Sequence, residues 1–225
     1  MGILHQIISI IITIMIYMVS KKVYNRWTVL LFSPILVCPI VLIMLITSYH
    51  SSFSAYNEGA QWLTKLLGPA TVAFAVPMHK HFQLLKKHGA EIILSLAVGA
   101  LTAISSSFLL AQWMKLSPFL IKSLVPRSIT TPIAMNISSS IGGAPAMTAV
   151  FVIITGLTGT MLGPVLIRLT SIRTPQAMGL LLGMGAHGAG ASKAYEIGEL
   201  EGTFASLAIV MAAIISIIMV SVIFH

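Results

Sequence analysis

From Ile92 to Trp113, from Met147 to Ile167 and from Phe204 to Phe224 the chain carries no charged side chain. A helix needs about 20 apolar residues to cross a bilayer. Only helices and closed barrels satisfy their own backbone there. Repeated runs of this length and composition point to an all-α, polytopic transmembrane helix bundle. Of 225 residues, 57% are hydrophobic and 8% charged, against about 25% charged in soluble domains. Lipid covers what a soluble protein would cover with charge, and residues 1–225 read as a single integral membrane domain.

The remaining charges lie between the runs. Run one is Ile3–Val19, followed by Lys21, Lys22 and Arg26. It lacks a basic region before it and a small-residue cleavage site after it, so it reads as a retained helix. Run two is Thr28–Thr47, with Pro34 and Pro39 inside; a polar loop is expected at 48–60. Run three is Ala60–Met78, broken at Gly68-Pro69 and followed by the basic stretch His79–His88. Glu91–Trp113, Met147–Leu169 and Phe204–Phe224 follow, with a short helix expected at Pro118–Leu124. The count is six to eight crossings. Lys80, Lys86, Lys87, Arg168 and Arg173 share the cytoplasmic side only if 117–142 enters and leaves the membrane on one side. The 13 Lys+Arg against 5 acids follow this loop pattern. No basic face interleaved with aromatics is present, which speaks against nucleic-acid binding. Cys38 is the single cysteine, so no intrachain disulfide or thiolate cluster forms.

One segment occurs twice. LGPATVAFAVPM at 67–78 aligns with LVPRSITTPIAM at 124–135, matching Pro69 with Pro126, Thr71 with Ser128 and Met78 with Met135. Proline suits a helix start, where no N–H donor is needed. A helix start inside a membrane carries about +0.5 elementary charge and attracts anions. Paired interrupted helices mark the midplane sites of transporters. Pro69, Thr71, Arg127, Ser128, Thr130 and Thr131 are therefore candidate ligands for a small carboxylate, with Arg127 its bidentate partner. The segment Asn136–Gly143, NISSSIGG, is too polar to face lipid, and Asn136 joins the set. The bland alternatives are helix packing for the hydroxyls and headgroup anchoring for Arg127.

A third constellation is GMGAHGAGASKAYEIGELEG, 183–202. His187, flanked by Gly188 and Gly190, is a candidate proton carrier. Lys193 and Glu196 are further candidates, or else a solvated i,i+3 pair. No nucleophile–base set, GxSxG, HExxH, Walker motif or dinucleotide fingerprint is present. An enzyme, a cofactor and a metal are not expected.

These three segments resemble the CidB/LrgB family of bacterial membrane proteins, nearer to its CidB branch through PRSIT. The resemblance runs in order over nearly the whole chain. It implies a holin/antiholin-like protein that affects murein hydrolase activity and cell lysis in the bacterial cytoplasmic membrane, paired with a small CidA/LrgA-type partner. It also implies carriage of small monocarboxylates, since bacterial pairs are linked to pyruvate uptake and a plastid relative, with both halves fused, translocates glycolate and glycerate. The residues it carries over are Pro69, Thr71, Arg127, Ser128, Thr130, Thr131, His187, Gly188, Lys193 and Glu196. The chain departs from the pattern at Ala186, where a Ser is common before the His, at Tyr195, where a Leu is common, and at Met78-His79. The sequence thus frames two functions. One is a carrier of small monocarboxylates, with His187 to carry the proton or to close a gate. The other is a homo-oligomerising modulator of lysis, for which the Gly156/Gly159/Gly163 face supplies a surface between protomers, although the same face equally packs helices internally.

Overall fold

The structure is a computed structural model that describes residues 3–27, 32–49 and 52–224. All regular elements among these residues are helical. Four helices are long and apolar enough to cross a membrane. The chain packs as two units, 1–73 and 74–225.

The first unit holds α1 (Ile3–Trp27), α2 (Pro34–Ser48), α3 (Phe53–Lys65) and α4 (Leu67–Ala73). The start of the expected second run, 28–31, lies outside the described residues. The loop expected at 48–60 is largely helical. Ser52 caps α3 by accepting from the Ala55 N–H at 3.2 Å. Gly59 has no room for a Cβ against the Gln6 backbone, so α3 lies directly on α1. Thr13 and Tyr56 share a hydroxyl hydrogen bond at 2.8 Å across that contact. Cys38 is a free thiol whose hydrogen bond goes to Ser20 Oγ at 3.8 Å.

The second unit begins with α5 (Ala75–Lys80) and α6 (Phe82–Lys87) and continues with the long α7 (Gly89–Trp113). Next come α8 (Pro118–Leu124), a 3-10 turn (Val125–Ser128) and α9 (Thr131–Ser140). Then follow α10 (Pro145–Leu169), α11 (Pro175–Ile197) and α12 (Glu199–Phe224). Lys80 pairs with Glu199 at 2.7 Å, so α12 starts at the lysine-rich end. Ile92 and Leu96 of α7 pack with Phe204 and Ala208 of α12, which starts α7 at that end too. α10 runs the other way, and Arg168 and Arg173 return to the lysine-rich end.

α11 is not one rod. His187 has φ 51° and ψ −130°, a break inside the helix. The chain reverses there, and Gly190 packs against the Leu182 carbonyl with no space for a Cβ. The first half, 175–186, runs inward beside α12. Gly179 meets the Glu201 carbonyl and Gly183 the Ala205 backbone. The second half, 188–197, runs back, and Tyr195 lies on Gly202 with its hydroxyl 3.3 Å from Ser206 Oγ. Residues 175–197 therefore form a helical hairpin rooted at the lysine-rich end.

Residues 118–144 form a second hairpin, rooted at the opposite end. Its base is closed by hydroxyls. Ser123 Oγ accepts from the Ala144 N–H at 2.8 Å. Thr148 Oγ1 lies 2.8 Å from the Ser123 carbonyl and 2.7 Å from Ser138 Oγ. Its apolar residues Val125, Ile129, Ala134, Ile137 and Ile141 form a core with Ile104, Val152 and Val220.

Candidate functional site

The tips of the two hairpins meet. Proline without an N–H and the extended backbone at Ile129 and Thr130 end the first arm of 118–144. Thr130 then starts α9 with φ −62° and ψ 142°, and its side chain makes no capping hydrogen bond. The first helical rung runs from the Ala134 N–H to the Thr130 carbonyl at 2.9 Å. Earlier N–H groups stay outside the ladder, as at any helix start.

Arg127 sits at this tip and is held by neutral groups. Its Nε donates to Ser107 Oγ at 3.0 Å, and a terminal nitrogen donates to Thr155 Oγ1 at 3.1 Å. Ser107 lies six residues before the end of α7, and Thr155 ten residues after the start of α10. At 1.5 Å per residue the guanidinium is about 9–15 Å inside the far end of the bundle. No carboxylate pairs with it among the described residues. A cation at such depth costs about 2.5–3.5 kcal/mol on insertion scales. A guanidinium has five N–H donors, and the two hydroxyls engage only part of that set.

His187 forms the other tip, about 18 Å along 175–186 by helical rise. It is 4% exposed. Its imidazole lies against the Arg127 backbone, and Nε2 is buried with no hydrogen-bond partner. A buried polar atom left unpaired costs about 1–3 kcal/mol, and the left-handed backbone adds strain of similar size. After His187 the second half of α11 begins at Gly188, where a Cβ would meet nothing within 4 Å.

Two half-helix starts, at Thr131 and Gly188, thus share one locus with an unneutralised guanidinium and an unpaired imidazole nitrogen. That locus suits a small acid: the guanidinium donates to its carboxylate, and the unpaired imidazole nitrogen, in a ring whose other nitrogen donates to the Arg127 backbone, accepts from a hydroxyl or takes up a proton. The other sequence candidates are distributed around it. Ser128 is buried in the 3-10 turn beside Arg127, and Thr131 is half-buried. Asn136 is exposed on α9 and lines a groove of about 320 Å³ with Ile133, Ser140 and Ser221. Lys193 and Glu196 pair with each other at 2.7 Å, six and nine residues past His187 toward the lysine-rich end. Pro69 is exposed in the first unit, and the Thr71 side chain lies outside the described residues. Sequence reasoning missed Ser107, Thr155, Ser123 and Thr148, and of the Ser123–Ser138–Thr148 cluster it reached only Ser138, within the polar segment 136–143. The missed hydroxyls sit in helices where serine and threonine ordinarily bond their own backbone, so the sequence carries no signal for them.

Residues 13–225 match the LrgB-like family. The chain is 50% identical to YwbG of Bacillus subtilis (strain 168) over 94% of each chain. It is 30% identical to the holin-like protein CidB of Staphylococcus epidermidis over 97% of this chain and 96% of the relative. It is 32% identical to the antiholin-like protein LrgB of Bacillus cereus (strain B4264) over 84% of this chain and 83% of the relative. No solved structure matches the chain. With the family matched from the first helix to the last residue, this helical membrane protein belongs to the LrgB-like family.

Proposed function

We propose that this chain is a holin/antiholin-like protein of the bacterial cytoplasmic membrane, which modulates murein hydrolase activity and lysis without catalysing a reaction itself. The observation that carries this is its 30% identity over 97% of its length to a relative named holin-like CidB. A small CidA/LrgA-type membrane protein is its partner, and assembly with that partner or with further copies is how it acts. The test is deletion and complementation in the native host. Autolysis rate and murein hydrolase zymograms should change on deletion and return with the intact gene. Unchanged lysis and zymograms across that series would remove this reading.

A second reading is favoured by the geometry: the chain carries small monocarboxylates such as pyruvate or glycolate. Its support is Arg127, a cation held by Ser107 and Thr155 hydroxyls where a carboxylate would complete its shell. Charge-assisted bidentate bonds of this kind are the strong ones. The readings are compatible, because altered acid flux changes the proton motive force and, through it, lysis. Uptake of labelled pyruvate, glycolate and lactate into proteoliposomes separates them. Saturable uptake by the chain alone supports the carrier. Its absence with folded protein, and again with the small partner added, leaves the lysis reading alone.

A further inference from the structure

The two hairpins differ in sequence but are related in topology. α7 leaves the lysine-rich end and is followed by hairpin 118–144, rooted at the far end. α10 leaves the far end and is followed by hairpin 175–197, rooted at the lysine-rich end. Each is a crossing helix followed by a hairpin, and the second runs upside down relative to the first. We propose that 89–144 and 145–197 form an inverted pair, and that the junction of their tips opens alternately to the two faces of the membrane. The proposal rests on the small-anion reading of Arg127 and His187.

Three observations carry it. Irregular backbone at membrane depth persists only where protein buries it or water reaches it, and both breaks, 125–130 and 187, occur at one locus. Inverted-topology repeats with broken helices are the architecture in which one site serves two faces. The two approaches to the locus also differ. From the far end, a groove runs beside α9 toward its start, between Ile133, Asn136 and Ser140 on one wall and Ile217 and Ser221 of α12 on the other. From the lysine-rich end, the first arm of hairpin 175–197 is pressed onto α12 at Gly179 and Gly183, and onto α10 at Gly159. The lysine-rich approach is closed by these glycine contacts, and the groove at the far end lies between α9 and α12, short of Arg127 and His187. His187, strained at φ 51° and unpaired at Nε2, is the group that gains a partner when an acid brings a hydroxyl or a proton and that turns when the second hairpin moves.

The experiment uses the full chain with Cys38→Ser, which removes its single thiol, and a membrane-impermeant thiol reagent applied to vesicles of either orientation. Ser140→Cys should label only from the far face and Ser192→Cys only from the lysine-rich face. Gly188→Cys should label from both faces, slowed roughly tenfold by pyruvate or lactate at about ten times Kd. Labelling of Ser140→Cys and Ser192→Cys from the same face overturns the inverted pair. Labelling of Gly188→Cys from one face only overturns the alternation, as does failure of Ser140→Cys to label from either face. The expected labelling without protection or uptake by any of the acids keeps the architecture and removes the carboxylate reading. A variant that fails to fold is recognised by its elution profile and replaced by its neighbour, Ser139→Cys or Ala189→Cys, under the same criteria.

Discussion

Hairpin 118–144 and hairpin 175–197 reach the same point by different chemistry. The first is broken by proline and two extended residues, and its base is tied by Ser123, Ser138 and Thr148 hydroxyls. The second has no proline at its tip. It turns on His187 in a left-handed conformation and is held by glycines pressed against neighbouring backbone. Hydroxyl ties are local and can be undone one at a time. Glycine contacts are shared along a whole helix face, so a single added side chain disturbs the entire arm. The first hairpin has one such glycine contact, Gly143 against the Lys122–Ser123 backbone; elsewhere it should weaken by degrees, and the second fail outright.

Gly183→Val tests the sharper half of that contrast. A Cβ there overlaps the Ala205 backbone, and α12 cannot retreat without losing Phe204 and Ala208 from their core. Overpacking costs about 1–3 kcal/mol where side chains can yield; against backbone the expected outcome is loss of folded protein. Size-exclusion profiles in detergent check it. Gly188→Ala, with open space for its Cβ, should elute as the parent does.

Arg127→Ala compares the tips by function. If the guanidinium binds a carboxylate, uptake falls at least tenfold, in line with about 1.5–3 kcal/mol for bonds to a charged group. Arg127→Lys should keep part of it, since an ammonium holds the charge without the fork. Equal uptake by the Ala variant and the parent, at equal expression, takes Arg127 out of any site.

Thr148→Val probes the base of the first hairpin. The substitution keeps the shape and removes a hydroxyl within reach of the Ser123 carbonyl and Ser138 Oγ. Both partners are buried, so the cost is about 1–3 kcal/mol, read as a lower Tm with the fold intact. At the second tip, His187→Gly should be more stable than His187→Ala by about 1–2 kcal/mol, because the left-handed backbone penalises a Cβ. The reverse order would mean that the turn is not strained as described. His187→Gln should flatten the pH dependence of uptake if the imidazole carries the proton, and leave it unchanged if His187 only shapes the turn.

This contrast also separates what the sequence displays from what it hides. The first break is visible, because Pro126 beside a lone Arg127 does not fit an unbroken helix facing lipid. The second is half visible. Glycines at 183 and 190 announce close packing, which the structure bears out, but nothing marks His187 as the residue that turns. The residue-level likeness of 67–78 to 124–135 drew attention to repetition. The topological pairing joins VPRSIT with GAHGAG, which share almost no chemistry. Topology depends on the direction of each crossing helix, and an apolar run reads alike in both directions. Ser107 and Thr155 reach Arg127 from 20 and 28 residues away, through packing that no local pattern encodes. The helix over 53–65 hid behind its polarity, since its register depends on Gly59 meeting α1.

The smallest effect belongs to the exposed return arm of the second hairpin. Lys193 and Glu196 are 2.7 Å apart, the same separation as Thr148 and Ser138, yet the two contacts should differ severalfold in stability. Thr148 and Ser138 are fully buried, and breaking their contact leaves an oxygen that water cannot reach. Lys193 and Glu196 are 32% and 53% exposed, so either charge is rehydrated when the pair is lost. Glu196→Gln should cost about 0.2–0.5 kcal/mol and less in high salt, against a salt-independent loss in Thr148→Val. A larger, salt-insensitive loss in Glu196→Gln would place that carboxylate in a buried setting, and bring Lys193 and Glu196 back among the groups that serve the site.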